Sequence, residues 1–220
     1  MTGRLGATGL VLVALVVAAC SRPEAAEPPA LPWLLQESVC DRVPLRALVQ
    51  RAEWRLDASS AVEESHHDSD LGSRGLCSVR GEPDVGSRTA PVDGGQVVVD
   101  LYAANRPDGL DRVAELYALD GPHPEVLPLL GRPVRTSQEA IEGWWSDGSL
   151  ALYSQVGLPG DPAAVRAVAR ARVTDGNVTV VVTTSAWVRG GSPRSIDRLE
   201  RLTLETATAT RGALAVRDAG

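Results

Sequence analysis

The chain has 220 residues and a formal net charge of −6, with 22 basic residues, all arginine, against 28 acidic ones. An acidic balance of this kind argues against a nucleic-acid partner, because phosphates repel it, and against a domain that lies flat on anionic lipid. Phenylalanine and lysine are absent, while alanine, valine, glycine and arginine abound. That is the signature of GC-rich codons and says nothing of function.

Arg4 is followed by an unbroken apolar run over residues 10–19. As a helix it spans about 15 Å, half of a bilayer's hydrocarbon core. This is too short to cross a membrane and suits the core of a signal peptide. The run ends Val17-Ala18-Ala19-Cys20. Small residues before the cut let a peptidase grip an extended backbone. A cysteine directly after it resembles the bacterial lipobox, whose cysteine carries diacylglycerol. The resemblance implies a signal peptide over residues 1–19, lipidation at Cys20 and an extracytoplasmic chain anchored to the cell membrane. Each buried methylene contributes about 0.8 kcal/mol, and two acyl chains hold where one does not. Residues 20–35 follow as a proline-rich tether. Residues 36–220 are then one domain with a core of its own.

Residues 39–52 read as a helix. Pro44 suits its first turn, and Leu45, Leu48, Val49 and Ala52 form one apolar face. Trp54 and Leu56 begin an extended piece. Residues 58–75 are polar and read as a loop. Within it, Glu63, Glu64, His66, His67, Asp68 and Asp70 are metal-ligand types, with His66, His67 and Asp68 the foremost candidates. Ligands must converge, as histidines at i and i+4 of a helix do. Adjacent histidines do not, so a solvated loop without metal is the expectation. Residues 76–80 are a short strand carrying Cys77. With Cys20 lipidated, Cys40 and Cys77 form an even pair in an oxidising compartment, and a disulfide is expected. No CxxC spacing supports a cysteine metal site.

Residues 96–103 are a strand. Pro107-Asp108-Gly109 opens a helix with Asp108 as its cap and Leu110, Val113, Ala114 and Tyr117 as its buried stripe. Residues 122–133 are a proline-broken loop. Residues 141–146 and 149–156 make a hairpin about Asp147-Gly148, which places Trp144 and Trp145 on opposite faces of a strand. One is then core and the other exposed, either as a contact surface for a ligand or partner or partly covered by the loop over residues 122–133. Residues 165–174 and 178–188 make a second hairpin about Asp175-Gly176. Helix competes with strand over residues 162–172, and alternation favours strand. Arg166, Arg170 and Arg172 then share one face, a solvated row or a stripe for an anionic partner. Asn177-Val178-Thr179 matches a glycan acceptor pattern of little meaning in a bacterium. Ser192-Pro193 caps a last helix with Ile196, Leu199 and Leu202 inward, and the final residues fray. The elements predict an α+β domain, an antiparallel sheet with helices packed mainly on one face.

Cys40-Asp41, Gly75-Leu76-Cys77 and Trp144-Trp145 before Asp147-Gly148, behind a lipobox and tether, resemble small actinobacterial cell-envelope lipoproteins that carry a domain of unknown function. The likeness spans roughly residues 36–210. It implies location and fold, because no settled activity attaches to that group.

No Gly-x-Ser-x-Gly elbow, GxGxxG or Walker A loop occurs, and His123 is the one histidine outside the polar stretch. The expectation is a non-catalytic binding module of the envelope without cofactor, whose partner is a protein, peptide or polysaccharide. A carrier or sensor with an apolar pocket for lipid or a small ligand is the alternative. An envelope hydrolase with converging carboxylates ranks third.

Overall fold

The computed structural model describes residues 31–56, 61–83, 95–110, 134–158, 161–189 and 193–217. The signal segment, Cys20 and residues 21–30 lie outside them. So do residues 111–133, which hold the rest of the helix expected after Pro107 and the proline-broken loop.

In chain order the elements are β1 (Trp33–Leu35), α1 (Val39–Arg42), α2 (Leu45–Arg51), β2 (Trp54–Arg55), β3 (Glu63–Asp68), β4 (Gly72–Pro83), β5 (Gly95–Ala104), β6 (Val134–Ala140), β7 (Asp147–Leu158), β8 (Asp161–Asp175), β9 (Val178–Arg189), α3 (Pro193–Ala209), a 3-10 turn (Thr210–Ala213) and β10 (Leu214–Val216). The fold is mainly antiparallel sheet with a few helices. One eight-stranded sheet runs in the order β2-β4-β5-β9-β8-β7-β6, with β3 paired beside β2 on β4. A small second sheet joins β1 to β10.

Alternation explains the core. Odd residues of β8 (Ala167, Ala169, Ala171, Val173) and even residues of β9 (Val178, Val180, Val182) join Val97, Val99 and Leu101 of β5 in one buried cluster. Leu45, Leu48 and Val49 of α2 and Leu199 and Leu202 of α3 belong to the same cluster. The alanines of β8 are short, which leaves room for α3 to lie against β8 and β9. Each fully buried leucine or valine contributes about 1.5–3 kcal/mol. Tyr102, Ala104 and Val181 point to the other face and pack with Leu110, in the first turn of the helix that begins at Pro107.

Several expectations change. The first helix is two, because Val43 precedes a proline and is pushed to extended geometry (φ −99°, ψ 107°). Pro44 caps α2 and Leu45 begins it. The expected loop over residues 58–75 contains β3, which pairs with β4 from Glu63–Ser78 to Asp68–Ser73. All six β3 residues are exposed. An edge strand held by its backbone ladder needs no apolar alternation, so composition hid it. The strand around Cys77 is correspondingly longer than expected.

Asp108 lies inside its helix rather than capping it, and its carboxylate pairs with Arg106 at 3.3 Å. Residues 141–146 are the connection of the β6–β7 hairpin and not a strand. Ala140 pairs with Ser149, and Asp147 and Gly148 already continue β7 against Thr174 and Val173 of β8. The strand reading of residues 162–172 holds, and the next turn is centred on Gly176-Asn177, with Gly176 at φ +54°.

Leu214–Val216, in the stretch expected to fray, form β10 against β1. Secondary structure also starts before residue 36. Asn177, 1% exposed, accepts from the Trp33 backbone N–H at 2.8 Å. Its Nδ2 donates to the carbonyls of Trp33 and Ala104 at 2.8 and 2.7 Å. The side chain thus ties the entering chain to the β8–β9 turn and to the end of β5.

Candidate functional site

Cys40 and Cys77 are bonded in a disulfide with Cα atoms 5.5 Å apart. It fixes α1 to β4. Gly75, two residues before Cys77, permits that approach, because a Cβ there would meet Val39 Cγ2 at 2.7 Å. Beside the bridge, Glu64 accepts from the Cys40 backbone N–H at 3.3 Å, and Glu63 accepts from the Ser78 hydroxyl at 3.2 Å.

These contacts divide the acidic, histidine-bearing stretch. Successive β3 residues point to opposite faces, so Glu64, His66 and Asp68 lie on one and Glu63, Ser65 and His67 on the other. His66 Nε2 lies 3.0 Å from Asp68 Oδ1. The Asp68 carboxyl is held below the usual range chiefly by a hydrogen bond from Ser73, with His66 also favouring the charged form. Among the described residues no group of three or more His, Cys, Asp or Glu side chains is placed to hold a metal ion.

Trp144 and Trp145 sit in the β6–β7 connection rather than on a strand. Trp145 is 8% exposed and donates to the Ile141 carbonyl at 3.0 Å. Trp144 is partly buried against the same core and donates to the Ala207 carbonyl of α3 at 3.3 Å. Their rings meet edge-on at 5.7 Å. Trp33 meets Trp144 in the same way at 6.3 Å, and the Arg211 guanidinium lies 4.3 Å above Trp33. The expected split into one core and one exposed tryptophan does not occur. Without a strand, nothing turns the two rings apart, and both close this end of the core.

The sheet face turned away from α3 is where polar groups gather. Even residues of β8 place Arg166, Val168, Arg170 and Arg172 there. Thr179, Thr183 and Ser185 of β9 stand beside them, since Arg170 pairs with Thr183 and Arg172 with Val181. Ser149 of β7 flanks Arg172 on its other side. This row is not the solvated face expected of alternating arginines. Arg170 is 5% exposed, Thr183 4%, and Val168 and Ser185 are also buried. The Nε of Arg172 is buried without a hydrogen-bond partner. Across the sheet Asp100 receives two bonds from Arg74, at 2.9 and 2.6 Å. Alternation revealed which residues share the face. Nothing in it revealed their burial.

A groove of about 210 Å³ lies between α2 and α3, lined by Arg51, Glu53, Arg198, Arg201, Leu202 and Glu205 among others. Glu53 closes α2 in the left-handed region (φ 62°) and pairs with Arg198 at 2.7 Å. Arg51 and Glu205 approach to 3.7 Å. These are surface pairs worth little, and the groove is polar. His123 and Cys20 lie outside the described residues, and no described helix is long and apolar enough to cross a membrane. No protein-family model matches the chain, and no curated protein matches it.

Proposed function

We propose that this chain is an exported lipoprotein, anchored through lipid on Cys20 to the outer face of the cell membrane, whose α+β domain is a non-catalytic binding module of the cell envelope. The observation that carries the reading is the Cys40–Cys77 disulfide. Structural disulfides belong to oxidising compartments outside the cytoplasm. The pairing leaves Cys20 as the single cysteine over, directly after an apolar run of signal-peptide length. The likeness to actinobacterial envelope lipoproteins agrees with this assignment. In this reading the helices pack mainly on one face of the sheet. The opposite face, with its arginines and hydroxyls, meets a partner of the envelope.

Fractionation of cells expressing the wild type and Cys20→Ala tests the anchor. Wild type is expected in the membrane pellet and the variant in the soluble exported fraction. A variant that pellets like the wild type contradicts the proposal.

A further inference from the structure

We infer that the groove between α2 and α3 is a seat for a carboxylate-bearing sugar, an inference that deepens the binding-module reading and rests on it. The groove holds about 210 Å³, and Arg51, Glu53, Arg198, Arg201 and Glu205 are its charged lining. Arg198, Arg201 and Glu205 stand at i, i+3 and i+7 of α3, so one helix face presents them all. Two of the three guanidiniums have partners, Arg198 with Glu53 at 2.7 Å and Arg51 with Glu205 at 3.7 Å. Arg201 falls between Arg198 and Glu205 along α3, and among the described residues it has no hydrogen bond or ion pair. Its planar fork is therefore open to an acceptor from outside the chain. Three guanidiniums against two carboxylates leave the groove a single positive charge. One carboxylate matches that charge better than a phosphate, which carries nearly two.

A separate observation concerns Glu53. It follows the C-cap of α2 at φ 62°, in the left-handed region where glycine is the usual residue. Glutamate is less stable there than glycine, and local strain of this kind gathers at ligand sites. Its side chain is part of the groove. After pairing with Arg198, its carboxylate keeps lone pairs that can accept from hydroxyls. Glu205 offers the same from α3. A fork for one carboxylate beside acceptors for hydroxyls is the complement of a uronic acid. A simple carboxylate would leave the glutamates unused, and a neutral sugar would leave Arg201 unused. The volume is below the range of about 300–1,000 Å³ typical of drug-sized pockets, which suits a single sugar unit.

Three probes separate these cases. Titrate the full chain in neutral detergent with methyl glucuronide, methyl glucoside and acetate, and follow binding by ligand-observed NMR. Saturable binding of the glucuronide is expected, tighter than that of the glucoside or acetate. Arg201 is exposed, so its variants should fold. Arg201→Gln should weaken glucuronide binding about tenfold or more, the scale of one lost charge-assisted hydrogen bond. Arg201→Lys should keep part of the affinity, because an ammonium retains the charge and lacks the fork. Glu53→Gly should narrow the preference for glucuronide over acetate, since an acceptor for hydroxyls is gone. The same variant should melt higher, because glycine meets no penalty at that φ, which separates lost preference from lost fold. Arg166→Gln, on β8, should leave binding unchanged. No saturable binding of the glucuronide, equal binding of acetate or the glucoside, or a glucuronide affinity that Arg201→Gln leaves intact overturns the inference. None of these results touches the fractionation of Cys20→Ala, so failure here is distinguishable from failure of the anchoring reading.

Discussion

Breaking the Cys40–Cys77 bridge should cost this domain a large share of its stability. The bonded residues are 37 apart in sequence. In the chain-entropy account a closed loop of that length removes about 13 cal/mol/K from the unfolded ensemble, or about 4 kcal/mol at 25 °C. A typical domain has only about 5–15 kcal/mol in total. The two ends differ in setting. Cys77 is 0% exposed, whereas Cys40 lies at the margin of the core. Serine at 77 would add a buried hydroxyl, at about 1–3 kcal/mol if unsatisfied. The cleaner perturbations are therefore Cys40→Ala and Cys77→Ala. Urea unfolding of the oxidised wild type, both single variants and the double variant provides the assay. Each single variant is expected to lose about 4 kcal/mol, and the double variant to lose little more, because one bond is broken in all three. Losses that add in the double variant, or a single variant as stable as the wild type, would show that the bridge does not carry this stability.

Other expectations follow from particular side chains. Asn177→Ala removes three hydrogen bonds from a buried site and strands the Trp33 N–H. It should cost about 3 kcal/mol and speed amide exchange in β1 and β10, and unchanged exchange there would contradict its role as a tie. Burial, with the Glu139 and Asp197 carboxylates nearby, raises the Glu200 carboxyl above its ordinary 4.5. Between 4.5 and the raised value the folded state holds more protons than the unfolded, so this group's contribution falls as pH rises. Glu200→Gln should therefore raise the melting temperature at pH 7, with the gain shrinking as pH drops toward 4.5; a gain that does not depend on pH contradicts the assignment. For His66 and His67, a chelator should leave the thermal melt unmoved, and one tightly held zinc per chain would overturn that.

Much of the sheet was legible because burial on one face imposes alternation. Val97, Val99 and Leu101 in β5, and the alanine and arginine alternation of β8, announced strands and their inward residues. The last helix was equally readable from Leu199 and Leu202. The disulfide followed from counting cysteines against a compartment.

What could not be read has physical causes. β3 lies in solvent on all its side chains, so Glu63 to Asp68 carry no period to detect. Asp147-Gly148 has the composition of a tight turn, yet cross-strand pairing with Thr174 and Val173 carries it into β7. That displacement moved Trp144 and Trp145 off a strand and into the core. Asn177 looked like a glycan signal, and only the folded chain brings Trp33 and Ala104 to its amide. The arginine row was visible as a row. Whether its face meets solvent depends on segments distant in sequence, which local pattern cannot report.

The central claim is an exported chain held to the membrane by lipid on Cys20. Mass spectrometry of the N-terminal peptide from protein extracted from membranes tests it most directly. A chain that begins at Cys20, with a mass increment for diacylglycerol on that residue, is the expected result. A chain that begins elsewhere, or an unmodified Cys20, would contradict it.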